Sequence, residues 1–199
     1  MRHALILLAS ILGLSVILHS HLPSQPLFLK VRKEDSHIGF SVFKWAVFKE
    51  EGRFRDFEGT IEYDPGNPSA TRVDFTIRAA SIDSRNGGRD DALRSRDFFH
   101  ASKYPALTFR STKAAGAEGN TVMVDGDLTI RGITKRVTVP VKVLGVNHTG
   151  RDIGTLVGFE STFVINREDF RVGEDWHIIA REATIHLLIG AGSGTVAYR

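Results

Sequence analysis

The sequence predicts an all-β fold, an antiparallel barrel of roughly eight strands with one short helical or looped lid. Three observations carry that expectation. Apolar residues recur at every second position in successive segments, the period of a sheet with one wet and one dry face. Clusters of Gly, Pro, Asn and Asp separate these segments at hairpin spacing, as turns require. The composition has 13 Phe, 19 Gly and no Cys, and aromatic rings suit pleated sheets while Gly supplies turns and bulges.

The rows run in order from Leu27. Phe57, Gly59, Ile61 and Tyr63 form one inward row, and Val73, Phe75 and Ile77 alternate with the polar Arg72, Asp74 and Thr76. Val122, Val124, Gly126, Leu128 and Ile130 follow, then Val137, Val139, Val141 and Val143. Val157, Phe159, Ser161, Phe163 and Ile165 form the next row. The last comprises Ile179, Ala183, Ile185, Leu187 and Ile189, interrupted by Arg181. Turn signals stand between rows at residues 64–68, 115–120 and 147–150, which implies meander connectivity. Residues 87–104 break the alternation with a polar run that includes Asp90 and Asp91. A short helix or long loop is expected there, capping an opening, and the two carboxylates are read as solvated and without a role.

With 199 residues, the chain fits one ordinary domain, placed at residues 27–191, after an N-terminal segment. Hydrophobic residues make up 42% and charged residues 25%, which excludes disorder and a multispan membrane protein. The net charge of +3 is scattered over the strands, which argues against nucleic acid and leaves a weak preference for an anionic membrane surface or a phosphorylated head group. A chain without Cys has neither disulfides nor thiolate metal sites. Residues 1–22 read as a signal peptide or an N-terminal membrane anchor, because Met1, Arg2 and His3 precede an uncharged apolar run, residues 4–18, shorter than a full membrane span. A periplasmic location follows as the expectation.

Several stretches resemble, in order and spacing, the YceI-like family of lipid-binding periplasmic proteins. The first is Ser36-His37-Ile38-Gly39-Phe40-Ser41-Val42, leading to Gly52-Arg53-Phe54 and Phe57-Glu58-Gly59. The second is Asp91-Ala92-Leu93-Arg94-Ser95 with Asp97-Phe98-Phe99, continuing to Tyr104-Pro105, Phe109 and Ser111. The most specific is Gly126-Asp127-Leu128-Thr129-Ile130-Arg131-Gly132-Ile133-Thr134-Lys135, and Asn166-Arg167-Glu168-Asp169-Phe170 follows it. The resemblance implies a lipocalin-like antiparallel barrel extended around a polyisoprenoid or quinone-like lipid, held for carriage or storage in the cell envelope. Two positions depart from the family pattern: Lys44 stands where a His is frequent, and Arg171 where a Gly commonly follows the Asn-Arg-x-Asp-Phe motif.

A prenyl chain has almost nothing to hydrogen-bond, so its binder needs a dry elongated tunnel. On that logic the cavity candidates are Phe40, Val42, Trp45, Phe54, Phe57, Phe75, Ile77, Leu93, Phe98, Phe99, Phe109, Leu128, Ile130, Phe159, Phe163 and Phe170. Each also suits plain core packing. Phe98 and Phe99, adjacent aromatics in a polar segment, read as a lid over something apolar. Head-group contact would fall to Lys44, Arg94 or Arg167, although the two arginines sit beside acidic neighbours and are read first as structural clamps for loop carboxylates.

No nucleophile elbow, phosphate loop or dinucleotide fingerprint is present, so a binding protein is expected rather than an enzyme, without cofactor or metal. The alternative is a ligand-free envelope module that binds a protein partner through its lid or an edge strand. Peripheral contact with a membrane is an expected partner interaction. The oligomeric state is left open, with a dimer as one option.

Overall fold

A computed structural model describes residues 25–149 and 154–193; the apolar N-terminal run lies outside them. Ten strands form one antiparallel sheet: β1 Leu27–Lys44, β2 Phe48–Phe54, β3 Phe57–Tyr63, β4 Arg72–Arg78, β5 Ile82–Asp83, β6 Ala106–Gly116, β7 Thr121–Ile130, β8 Ile133–Thr149, β9 Gly154–Asn166 and β10 Ile179–Ser193. The one α-helix among the described residues, α1, spans Gly87–Arg94 between β5 and β6.

The sheet runs β10-β9-β8-β7-β6-β4-β3-β1-β2-β5 and closes through an additional β10–β1 pairing. It is an eight-stranded barrel in which two staves are broken. β1 pairs with β3 through Leu27 to Lys30 and with β2 through Ile38 to Lys44, so β2 and β3 lie in line with an interruption at Arg55 and Asp56. β4 and β5 form the next broken stave, β4 on β3 and β5 on β2. Closure removes the exposed edges that an open antiparallel sheet would leave.

The inward rows are those that the alternation predicts. Ile61 and Tyr63, Val122, Val124 and Ile130, Val139 and Val143, Val157 and Phe159, and Ala183 and Ile189 are all buried. Arg181 interrupts its row because β10 bulges there: Val42 pairs with Ala183, yet Lys44 pairs with Ile179. Freed from the ladder, Arg181 reaches Glu168 at 2.9 Å.

The two ends of the barrel differ. At one end Tyr63 and Phe159 meet edge-to-face at 5.8 Å among the fully buried Leu29, Val124, Val157 and Ala191, and close packing plugs it. The other end is crossed by α1 and the loop to β6, the capping segment expected over residues 87–104. Asn86 caps the helix by accepting from the Arg89 backbone N–H at 3.0 Å, as an N-cap asparagine should. Asp90 corrects the expectation of a solvated carboxylate: it is buried and accepts from the backbone N–H (2.7 Å) and hydroxyl (2.5 Å) of Ser84. A buried carboxylate is tolerable only with such donors.

Candidate functional site: an apolar channel under a lid

Among the described residues, two apolar chambers and an outer vestibule follow one another along the interior. The main chamber, about 140 Å³, lies mid-barrel among Val73, Phe75, Ile77, Leu107, Phe109, Val124, Leu128, Ile130, Val139, Val141, Phe159, Phe163, Ile165, Ile185, Leu187 and Ile189. Ser161 is the one polar side chain of the inward rows there, and its hydroxyl is spent on the Pro140 carbonyl at 2.6 Å. Thr108 and Glu160 border the chamber from the alternate, outward rows.

The second chamber, about 110 Å³, lies under the lid and shares Leu107, Ile130, Ile165 and Ile185 with the first. Phe99, Phe170, Val172 and Ala183 complete it with Phe40, Val42, Leu93, Phe98 and Ile179. Those last five also line the vestibule, about 380 Å³, whose rim carries Lys44, Glu50, Glu51, Ser84, Asn86 and Arg89. Apolar walls therefore run from a polar rim to the barrel centre. Burying an uncharged chain along them gains free energy in proportion to area, with nothing polar left unpaired.

Local structure explains the lid. The Phe98 ring packs on Trp176 at 5.3 Å, and Phe99 meets Phe54 edge-to-face at 5.6 Å. The Gly173 N–H donates to the Asp97 carbonyl at 2.8 Å, which ties the lid to the β9–β10 loop. Arg89 ties it to the opposite wall, donating to the Ser84 hydroxyl (2.9 Å) and carbonyl (3.0 Å) and contacting Glu50 on β2.

The sequence candidates divide accordingly. Phe75, Ile77, Phe109, Leu128, Ile130, Phe159 and Phe163 line the main chamber, and Phe40, Val42, Leu93, Phe98, Phe99 and Phe170 line the second. Lys44 stands on the vestibule rim, its ammonium 4.3 Å from the Trp45 ring. Four candidates stand elsewhere. Trp45 is not a wall residue: it follows the end of β1 in a left-handed turn (φ 49°) and its ring is exposed. Phe54 and Phe57 are buried core bordering none of the three spaces. Arg94 is a clamp, donating to the Ala80 and Ile82 carbonyls at 2.9 Å each and to Asp91 at 3.0 Å.

Arg167 touches the second chamber but has no donor to offer a head group. Its guanidinium is buried and donates to the carbonyls of Ala180 (2.8 Å), Val172 (2.7 Å), Ile179 (2.7 Å), Trp176 (3.2 Å) and Gly173. Burial lowers its pKa, partly offset by Glu168. It is the post on which the β9–β10 loop is folded. The aliphatic wall residues Leu107, Val141, Ile165, Ile185 and Leu187 were not among the candidates, although several stand in the alternating rows; weighting the choice toward aromatics passed over them.

Residues 29–191 match the family model of the YceI-like domain. The chain belongs to the YceI-like family. It is similar to Protein YceI of Escherichia coli O157:H7, 37% identical over 148 residues that cover 73% of this chain and 76% of that one. A UPF0312 protein of Ectopseudomonas mendocina is 37% identical over 142 residues, 70% of this chain and 69% of the relative. Among solved structures, Burkholderia cenocepacia BcnA superposes with TM-score 0.74 at 30% identity, covering 80% of this chain and 98% of its own. A polyisoprenoid binding domain from Saccharophagus degradans superposes at 0.66 over 85% of this chain and 99% of its own; at 13% identity it shares the fold.

The two departures of this YceI-like chain now have physical settings. Arg171 ends the 3-10 turn Arg167–Phe170 with φ 57°, in the left-handed region, the conformation a glycine takes without strain. Lys44 stands at the mouth, where its charge meets water and not the dry interior.

Proposed function

We propose that this barrel is a binding protein for a long apolar lipid of isoprenoid type, polyisoprenoid or quinone-like, carried or stored in the cell envelope after export. The observation that carries this reading is the unbroken apolar lining from vestibule to main chamber, in which Ser161 is already satisfied. Each buried methylene contributes about 0.8 kcal/mol, so a few isoprene units offset the ordering cost of one flexible chain. A dry apolar cavity of about 150 Å³ takes a benzene-sized guest; two such chambers end to end suit a slender chain better than a compact ligand.

The related fold of the polyisoprenoid binding domain from Saccharophagus degradans supports the same ligand class. A binding role is preferred to an enzymatic one because, among the described residues, Arg167 is the one titratable side chain of the inward-facing chamber walls, and its donors are spent on carbonyls. The test is titration of a fluorescent prenyl probe into wild-type protein and Ile185→Phe, which adds bulk where the chambers join. The expected result is an affinity loss of about tenfold or more, about 1.4 kcal/mol, with the fold retained by circular dichroism. Equal binding by both proteins would remove the channel as the site.

A further inference from the structure

We infer that the channel mouth is a membrane-docking surface, and that the β1–β2 hairpin tip inserts its apolar side chains into the lipid–water interface of an anionic bilayer. The inference rests on the lipid-channel reading above and identifies the source from which the ligand is drawn.

Exposed apolar side chains gather at this end. The hairpin tip carries Trp45, Val47 and Phe48, exposed by 57%, 69% and 59%, with Phe43 beside them. Across the vestibule, Trp176 and Ile178 are 41% and 39% exposed. The two segments are joined by the Trp45 N–H donating to the Ile178 carbonyl at 2.8 Å, and Trp176 and Ile178 also line the vestibule. Both tryptophans of the chain therefore stand at the mouth. Tryptophan, with an apolar body and one N–H donor, is the side chain that favours the bilayer interface.

The backbone of the tip makes the same point. Trp45 and Ala46 both have positive φ, 49° and 59°, where a hairpin turn is ordinarily given Asn and Gly. A bulky ring in a left-handed turn is strained, and burial does not repay it, since Trp45 is mostly exposed and its ring lies beside Phe48 (6.1 Å) and the Lys44 ammonium (4.3 Å) of the same hairpin.

Charge favours an anionic surface. Glu50 is contacted by Arg89 and Glu51 by Lys49 at 2.7 Å, while Lys44 on the same tip has no carboxylate partner among the described residues. Anionic head groups attract such an unpaired cation. Glu174 and Asp175 precede Trp176, so the acidic side of the mouth is the β9–β10 loop, and Lys44 stands on the hairpin opposite. A second copy of the chain is a poorer occupant, because the cluster falls far below the ~20–30 residues a side of a stable protein interface.

The full chain is tested by tryptophan fluorescence, since residues 1–24 contain no Trp and the signal reports the mouth alone. Phosphatidylglycerol vesicles, plain and with brominated acyl chains, are added to wild-type protein and to the double variant Trp45→Asn/Ala46→Gly, which gives the turn its preferred residues. Expected are a blue shift and bromine quenching for wild type, weaker on phosphatidylcholine. The variant, read through Trp176, should bind vesicles about tenfold more weakly or worse at an unchanged or raised thermal midpoint. Three results overturn docking: no shift on vesicles, co-sedimentation without a shift (binding through residues 4–18), or a blue shift without vesicles that follows dimerisation. Uptake of a prenyl probe dispersed in buffer is scored separately; its retention alongside failed docking sinks this inference alone, and its loss sinks the channel reading.

Discussion

The ring of Phe40 on β1 lies across the strand pair on Gly52 of β2, its register partner, so that a Cβ at residue 52 would stand 2.5 Å from Phe40 Cζ. The glycine thus sets where the ring rests, and Phe40 borders both the vestibule and the second chamber. Phe75 lies similarly on Gly59 and Phe109 on Gly126. Gly52→Ala should push the Phe40 ring into the channel and cost about 1–3 kcal/mol through overpacking. The expected outcome is slower and weaker uptake of a prenyl probe, measured by stopped-flow fluorescence, together with a lower urea midpoint.

Arg167 is expected to be the costliest polar residue to replace. Arg167→Lys retains a charge but cannot reach carbonyls spread from Val172 to Ala180, leaving buried acceptors unpaired at a cost of about 3 kcal/mol or more. Urea denaturation should show this loss. Near-wild-type stability of the lysine variant would mean that the guanidinium network contributes little.

At Arg171 the expectation has the opposite sign. Its φ of 57° strains any residue with a Cβ, so Arg171→Gly should stabilise the protein by about 0.5–1 kcal/mol after the greater backbone entropy of glycine is allowed for. A rise of ~1–4 °C in thermal midpoint is the readout.

Asp83 gives the fold a pH dependence at the edge of the lid. The Arg85 backbone N–H, Arg53 and Arg55 hold its carboxyl at about 2, below the ordinary 3.8. Because the folded value is depressed, its contribution is fully present above the unfolded value near 3.8 and is lost as pH falls through about 2, where both states are protonated. Asp83→Asn should therefore be less stable than wild type at neutral pH. The two urea midpoints should converge as the buffer is taken down through that window; a difference that persists at the acid end would assign the effect to hydrogen-bond geometry and not to charge.

What could be read in advance follows from what has a local signature. Period-two rows such as Val73, Phe75 and Ile77 report which face is dry, and that was enough for the barrel and most of the channel wall. Trp45 was misplaced because it lies one residue beyond the end of β1, where the period no longer applies. Asp90 departs from expectation for a different reason: its partner is Ser84, brought near by loop folding that leaves no spacing in the sequence, and although Arg167 is the clamp its acidic neighbour suggests, its partners are chiefly backbone carbonyls that the sequence does not mark. The breaks that divide β2 from β3 and β4 from β5 depend on how β1 is shared between two neighbours, a tertiary relation with no local cue.

The most direct measurement is native mass spectrometry of the protein expressed in a bacterial host and purified without detergent, with solvent extraction and identification of any bound lipid. A stoichiometric prenyl lipid or quinone, lost or much reduced in Ile185→Phe, is the predicted result. A protein that is empty as purified and that takes up no added polyprenol would contradict the channel reading and favour a barrel that serves as a protein-binding module.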